Sequence, residues 1–206
     1  FVGLQTSADR VFVVKDPSQF EQNLLRPFLK TDNIVPYGHS SISRWIIYPY
    51  ERVGSAARLL SASELGSSYP LTWQYLRDNA DVLRSRDRGA FDQDLWYAYG
   101  RSQSLAKLDV EKIILQVLAL RPTAILDNRM LYFTGGGSGP FYGLQALQSK
   151  VSNSLLLTII NSRLFGKMVE IHSTVMRGGY IKFSKQYIQD TPIVLPGSDT
   201  AADHDL

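Results

Sequence analysis

Cysteine is absent from the 206 residues, which excludes a disulfide framework and any zinc site built on thiolates. A reducing, cytoplasmic home is the matching expectation. No apolar run approaches the ~20 residues that a membrane-spanning helix needs; the longest stops at residues 155–160. Histidine is scarce: His39, His172 and His204 fall in a Gly/Ser loop, at a helix end and in a tail. None has a carboxylate or second His at ligand spacing, so no metal site is expected. There is no Gly-x-Ser-x-Gly elbow. The glycines at 135–139 precede no Lys-Ser/Thr pair, as a P-loop requires, and open no long helix, as a dinucleotide fingerprint requires. Asp92 and Asp94 stand beside Asp87 in a surface-like stretch, where a solvated turn accounts for them. No residue of this chain is expected to be catalytic.

What remains is enough for a folded domain. Hydrophobic residues make up 44% and charged residues 20%, so the chain can bury a substantial core as one domain, or as a domain with an added lobe. It opens at Phe1 inside a strand-like pattern, with no charged region before the apolar residues, which reads as a piece of a longer polypeptide rather than a signal peptide. The end, 197–206, carries Asp199, Asp203 and Asp205 and no Lys or Arg. Without that acidic, disordered tail the net charge rises from +3 to +6. A modestly basic body is compatible with an anionic partner.

Taken in order, residues 2–4 and 11–14 read as two short strands around the connection Gln5-Thr6-Ser7-Ala8-Asp9-Arg10. That connection concentrates side chains able to read hydrogen-bond patterns, although a turn explains Ser7 and Asp9 equally well. Asp16-Pro17 predicts a helix start, running to about Leu25. Residues 26–37 interleave basic and aromatic groups. Residues 45–50 form an apolar strand stopped by Pro49, and 51–68 show no clear pattern. A helix is predicted over 71–88, ending in Arg84, Arg86 and Arg88. These three suit either the helix dipole or a phosphate. Trp96, Tyr97 and Tyr99 precede Gly100-Arg101-Ser102-Gln103, and Arg and Gln are the side chains that pair bidentately with guanine and adenine edges. Strands over 112–118 and 124–126 lead to the run 130–133, the Gly135–Gly139 loop and the aromatics Phe141 and Tyr142. A second helix is predicted over 153–172, with Leu156, Ile159, Ile160, Leu164 and Met168 on its core face. Arg177-Gly178-Gly179 turns into a last strand, 180–183. The sum is an α+β domain with a mixed, largely antiparallel sheet and two main helices.

Several of these segments occur together in one order: residues 1–14, 25–34, 97–103 with Gly-Arg-Ser-Gln, the Gly-Gly-Gly-Ser-Gly loop, 156–165 with Ile-Ile-Asn-Ser-Arg-Leu-Phe, and 177–187. That order resembles the TaqI-like C-terminal specificity (target recognition) domain of adenine-N6 DNA methyltransferases from type II and combined restriction-modification systems. The resemblance runs over nearly the whole chain. It implies that 1–196 is a lobe that grips and reads double-stranded DNA for an N-terminal methyltransferase domain of the same polypeptide. S-adenosylmethionine would bind in that other domain. The family's Asn/Asp-Pro-Pro-Tyr/Phe motif is missing here, and Asp16-Pro17-Ser18 does not qualify, so this part should be catalytically silent.

On this resemblance the base-reading candidates are Gln5, Thr6, Ser7, Asp9, Arg10, Arg101, Ser102, Gln103 and Ser138. The phosphate candidates are Lys30, Arg84, Arg86, Arg88, Gly136, Gly137 and Arg177. The competing reading is a protein-interaction lobe that docks a methyltransferase or nuclease domain through the aromatics of 45–50 or 96–99.

Overall fold

The computed structural model describes residues 1–39, 41–135, 139–146 and 151–193. Near the start, Thr6 folds its hydroxyl onto its own turn, accepting from the Ala8 amide at 3.0 Å and donating to the Asp9 carboxylate. This turn leads into α1 (Asp9–Phe12), whose Val11 and Phe12 amides bond the Ala8 carbonyl, where a strand was expected, and only β1 (Val13–Val14) remains extended. Asp16 does cap, taking the Ser18 amide, but the turn it opens is a short 3-10 helix (Pro17–Gln19). The chain then enters β2 (Leu25–Pro27) after a second such turn, in place of the predicted helix.

A small hairpin, β3 (Ile34–Val35) and β4 (Gly38–His39), precedes β5 (Trp45–Ile47), which lies between β1 and β2 and runs antiparallel to both. The patternless stretch 51–68 resolves into the hairpin β6 (Tyr50–Val53) and β7 (Ala56–Leu59), then α2 (Ala62–Ser68). A capping box opens α2: Ser61 accepts from the Glu64 amide while the Glu64 carboxylate takes the Ser61 amide. The single helix predicted over 71–88 is three pieces, α3 (Pro70–Asp78), α4 (Ala80–Arg84) and α5 (Arg86–Gly89). Asp87 and Arg88 adopt φ of 47° and 61°, a left-handed conformation that regular helix does not tolerate.

The second half is built on β8 (Lys112–Gln116). After β9 (Leu118–Ala119) come β10 (Ala124–Asp127) and β11 (Phe141–Leu144), which flank β8 on either side, antiparallel to it. The helix predicted over 153–172 breaks into α6 (Asn153–Ile160) and α7 (Arg163–His172), because Ser162 caps afresh on the Phe165 amide at 3.1 Å. The break leaves Leu164 outside the core face assigned to it, at 67% exposure. Finally β12 (Val175–Met176) and β13 (Tyr180–Lys182) join β9 in a small sheet ordered β12-β13-β9.

Strand periodicity explains how the two halves cohere. Along β8 successive side chains point to opposite faces, so Ile114 enters one core while Ile113 and Leu115 enter another. The larger core gathers Phe12, Tyr48, Tyr99 and Tyr132; the smaller packs Leu157, Ile160, Phe165 and Val169 beneath the same sheet. One sheet thus serves both, and burying each such side chain stabilises the fold by roughly 1.5–3 kcal/mol. At the β8–β10 edge, Lys112 and Asp127 form a fully buried pair. The ammonium also donates to the Leu108 and Val110 carbonyls, and the Arg129 and Leu131 amides donate to the carboxylate. Burial lowers the Lys112 pKa against the opposing pull of Asp127. The expectation of an α+β domain with mainly antiparallel pairing is met; parallel pairing is confined to the single bridges Leu4–Thr134 and Phe28–Tyr132 among the described residues. Among these residues no helix is long and apolar enough to cross a membrane.

Candidate nucleic-acid interface

The extended residues Leu4 and Gln5 bring the separate candidate segments together. On one side Leu4 pairs with Thr134, its amide donating to the Phe133 carbonyl at 2.9 Å. On the other side Gln5 bridges Arg101, whose amide donates to the Gln5 carbonyl at 3.1 Å, and Gly100 bonds the Thr6 carbonyl. The Gln5 side-chain amide reaches Gln103 Oε1 at a long 3.5 Å. Gln5, Arg101 and Gln103, almost a hundred positions apart in sequence, therefore form one group, with the Arg101 and Gln103 side chains exposed. Gly100 is required by this approach, because a Cβ there would lie 2.0 Å from Ser7 Oγ. Ser7 itself is exposed and holds φ of 56°.

Beside this group lies a cleft of about 340 Å³, whose wall includes Asp9, Arg10, Lys30, Arg44 and Thr134. Three cations against one carboxylate give it a positive balance. Arg10 and Asp9 also border a second depression, of about 450 Å³, towards Ser85 at the end of α4. Arg10 thus stands exposed on a ridge between two concave surfaces. Arg44 is a member that sequence reading missed. The signal was the strand register: β2 and β5 pair Pro27 with Trp45, and the Phe28 amide bonds the Arg44 carbonyl at 3.0 Å, so the residues just past β2 and just before β5 share one end of the sheet. That end is where Lys30 and Arg44 converge.

Other candidates fall elsewhere. Thr6 is buried and spends its hydroxyl on the Ala8 amide and the Asp9 carboxylate, which removes it from base reading. Arg86 is likewise removed from the phosphate set: its guanidinium is buried and donates to the carbonyls of Leu83, Thr6 and Trp96, and it packs over the Phe91 ring at 4.2 Å. It clamps the Thr6 turn to α4. Arg84 pairs with Asp92 at 2.8 Å and lies over Trp96, which answers its charge locally. Arg88 is exposed on the left-handed turn of α5. Ser102 lines a separate depression with Ser55 and Ala57 of the β6–β7 hairpin. Lys30 and Arg10 make no ion pair among the described residues. Gly136, Gly137 and Ser138 lie outside the described residues, as do His204 and the acidic tail; Gly135 is buried where a Cβ would meet Gly3 and the Phe141 carbonyl.

The aromatics that precede the Arg101 segment are scaffold. Trp96, Tyr97 and Tyr99 are buried, and Tyr99 donates to the Ile47 carbonyl while its amide donates to the Tyr50 hydroxyl. Burial pushes the Tyr50 phenol up to about 12 and Tyr99 well above its ordinary value, so both are neutral hydrogen-bonding struts. Tyr48 and Tyr50 are buried in the same cluster. Among the described residues no group of three or more His, Asp or Glu side chains is arranged to hold a metal.

The proteins that this chain is similar to belong to type II restriction-modification systems. One is the type II restriction enzyme and methyltransferase RM.Eco57I of Escherichia coli, 25% identical over 206 aligned positions that cover 87% of this chain and 20% of the relative. Another is the type II methyltransferase M.PaeR7I of Pseudomonas aeruginosa, 25% identical over 198 positions, covering 91% of this chain and 31% of the relative. The chain is thus related to a portion of restriction-modification methyltransferases and spans less than a third of the length of either. No family model matches it.

Proposed function

We propose that this chain is a sequence-specific, double-stranded DNA recognition lobe of a restriction-modification adenine methyltransferase. The observation that carries the reading is the convergence of Gln5, Arg101 and Gln103 beside a cleft bearing Arg10, Lys30 and Arg44. Bidentate side chains held by the Gln5–Arg101 main-chain bridge supply base readout, and the cations supply phosphate grip. The kinship with type II methyltransferases supports DNA as the polyanion. In this reading residues 1–196 serve a methyltransferase domain elsewhere in the polypeptide. S-adenosylmethionine binds in that domain, which carries out the adenine-N6 transfer; this lobe positions the duplex. The docking alternative loses most of its basis, since Tyr48, Tyr50, Trp96, Tyr97 and Tyr99 are core residues.

The test is equilibrium binding of the chain to a duplex across a salt series. Affinity should fall steeply with salt, and Lys30→Ala and Arg44→Ala should each weaken all sequences alike and flatten the log–log slope by about 1. Binding absent at low salt, or slopes unmoved by either variant, would reject the cleft as a phosphate site.

A further inference from the structure

The β12–β13 hairpin has a composition that its place in the fold does not explain. Val175 pairs with Ile181 and Met176 with Tyr180, and the turn closes with the Gly179 amide on the Met176 carbonyl at 3.1 Å. Gly178 and Gly179 both take positive φ, 85° and 81°, so Arg177 is the one side chain at the tip. The neighbouring strand β9 supports the hairpin only up to the Ala119–Ile181 pair. Beyond it the Leu120 side chain lies beside Gly179, and Met176 and Tyr180, paired across the ribbon, are 47% and 41% exposed. Its base is stiff: Ser173 Oγ bonds both the amide and the carbonyl of Lys182, and Thr174 meets the Tyr187 hydroxyl.

Charge says what such a ribbon suits. From residue 171 to 189 there is no Asp or Glu, while Arg177, Lys182 and Lys185 are present. The nearest carboxylate on the adjoining α7, Glu170, is already paired with Lys167. Arg177 has no hydrogen-bond or ion-pair partner among the described residues. The ribbon is also joined to the basic cleft: Phe183 donates to the Val117 carbonyl, and the Val117 amide donates to the carbonyl of Pro140, which lines that cleft. An exposed, acid-free β-ribbon with a cation at its tip and apolar flanks matches the major groove. That groove is ~12 Å wide, admits a two-stranded ribbon, and offers guanine N7/O6 to Arg and thymine methyl groups to apolar side chains.

We infer that the 175–181 hairpin enters the DNA major groove, with Arg177 reading a guanine and Met176 and Tyr180 packing against neighbouring base edges. This rests on the DNA-recognition reading but assigns a second reading element, apart from the Gln5–Arg101–Gln103 group, and moves Arg177 from phosphate contact to base contact.

The experiment starts from the duplex motif that the unaltered chain enriches from a randomised pool. Binding is then measured for the chain, R177A and R177K, with melting curves to confirm that each variant is folded. R177A should lose about 5- to 150-fold on the motif and relax preference at one G·C pair, and R177K should not restore it. Replacing that guanine by 7-deazaguanine should weaken the unaltered chain and leave R177A unchanged, whereas inosine, altered only in the minor groove, should cost neither. A uniform loss restored by R177K would reduce Arg177 to a phosphate contact and overturn the inference. Retention of full preference by R177A would place the hairpin outside the DNA, on another part of the polypeptide. Both results leave the recognition reading standing; no enrichment by the unaltered chain would overturn the two together.

Discussion

At the scale of single residues, three arginines close in sequence or chemistry part company once their surroundings are known. Arg86 satisfies three main-chain carbonyls from a buried position, so Arg86→Ala leaves acceptors unpaired at a cost of about 1–3 kcal/mol or more. A drop in melting temperature with poor folding is expected, and an unchanged melt would contradict the clamp. Arg84, half-exposed and paired with Asp92, should cost less than about 1 kcal/mol when truncated. Arg101 is exposed and fixed through its main chain alone. Arg101→Ala should leave stability unchanged and cost about 1–3 kcal/mol of discrimination at one base pair.

Elements show how local signals were overridden or confirmed. The Gly100 main chain meets the Ser7 turn so closely that Gly100→Ala must displace Ser7. The variant should lose sequence preference, and adding Ser7→Gly, which removes the colliding side chain at a position with φ of 56°, should restore it. Failure of the double variant to recover would break the link between the two segments. Glu64, holding the α2 cap and Arg58, has its pKa drawn down to about 2, first by the Arg58 bonds and then by Ser61. A depressed carboxyl contributes stability above its ordinary pKa and loses it as pH falls towards the folded value. Melts taken from pH ~5 down to ~2 should therefore fall less steeply for Glu64→Gln than for the parent. Capping residues made part of this legible: Asp16, Pro49 and the strands at 112 and 124 read directly from the sequence. The single helices over 71–88 and 153–172 did not survive: Ser162 recaps one, and the other parts at Asn79 and Ser85 before left-handed Asp87 and Arg88 end it. Apolar periodicity runs through such breaks without registering them. Of the site, the polar groups at 5–10 and 101–103 were visible as composition. Their adjacency and the role of Arg44 depend on strand pairing across long sequence separations, which no local pattern encodes.

For the molecule as a whole, one sheet with a core on each face is a single support for the two elements proposed to read DNA. The Gln5–Arg101–Gln103 group rests on the larger core through Leu4 and Tyr99, and the 175–181 hairpin rests on the smaller through Ile181. Basic residues collect at Arg10, Lys30 and Arg44, around the cleft that Thr134 and Pro140 also line. Such an arrangement suits a grip that is general in the cleft and selective at its edges. The most direct measurement is selection of duplexes from a randomised pool by this chain at near-physiological salt, followed by sequencing. An enriched motif of a few base pairs is expected, with one position lost in Arg101→Ala. Salt-sensitive binding without any enriched motif would contradict it, leaving a lobe that holds phosphates and reads nothing.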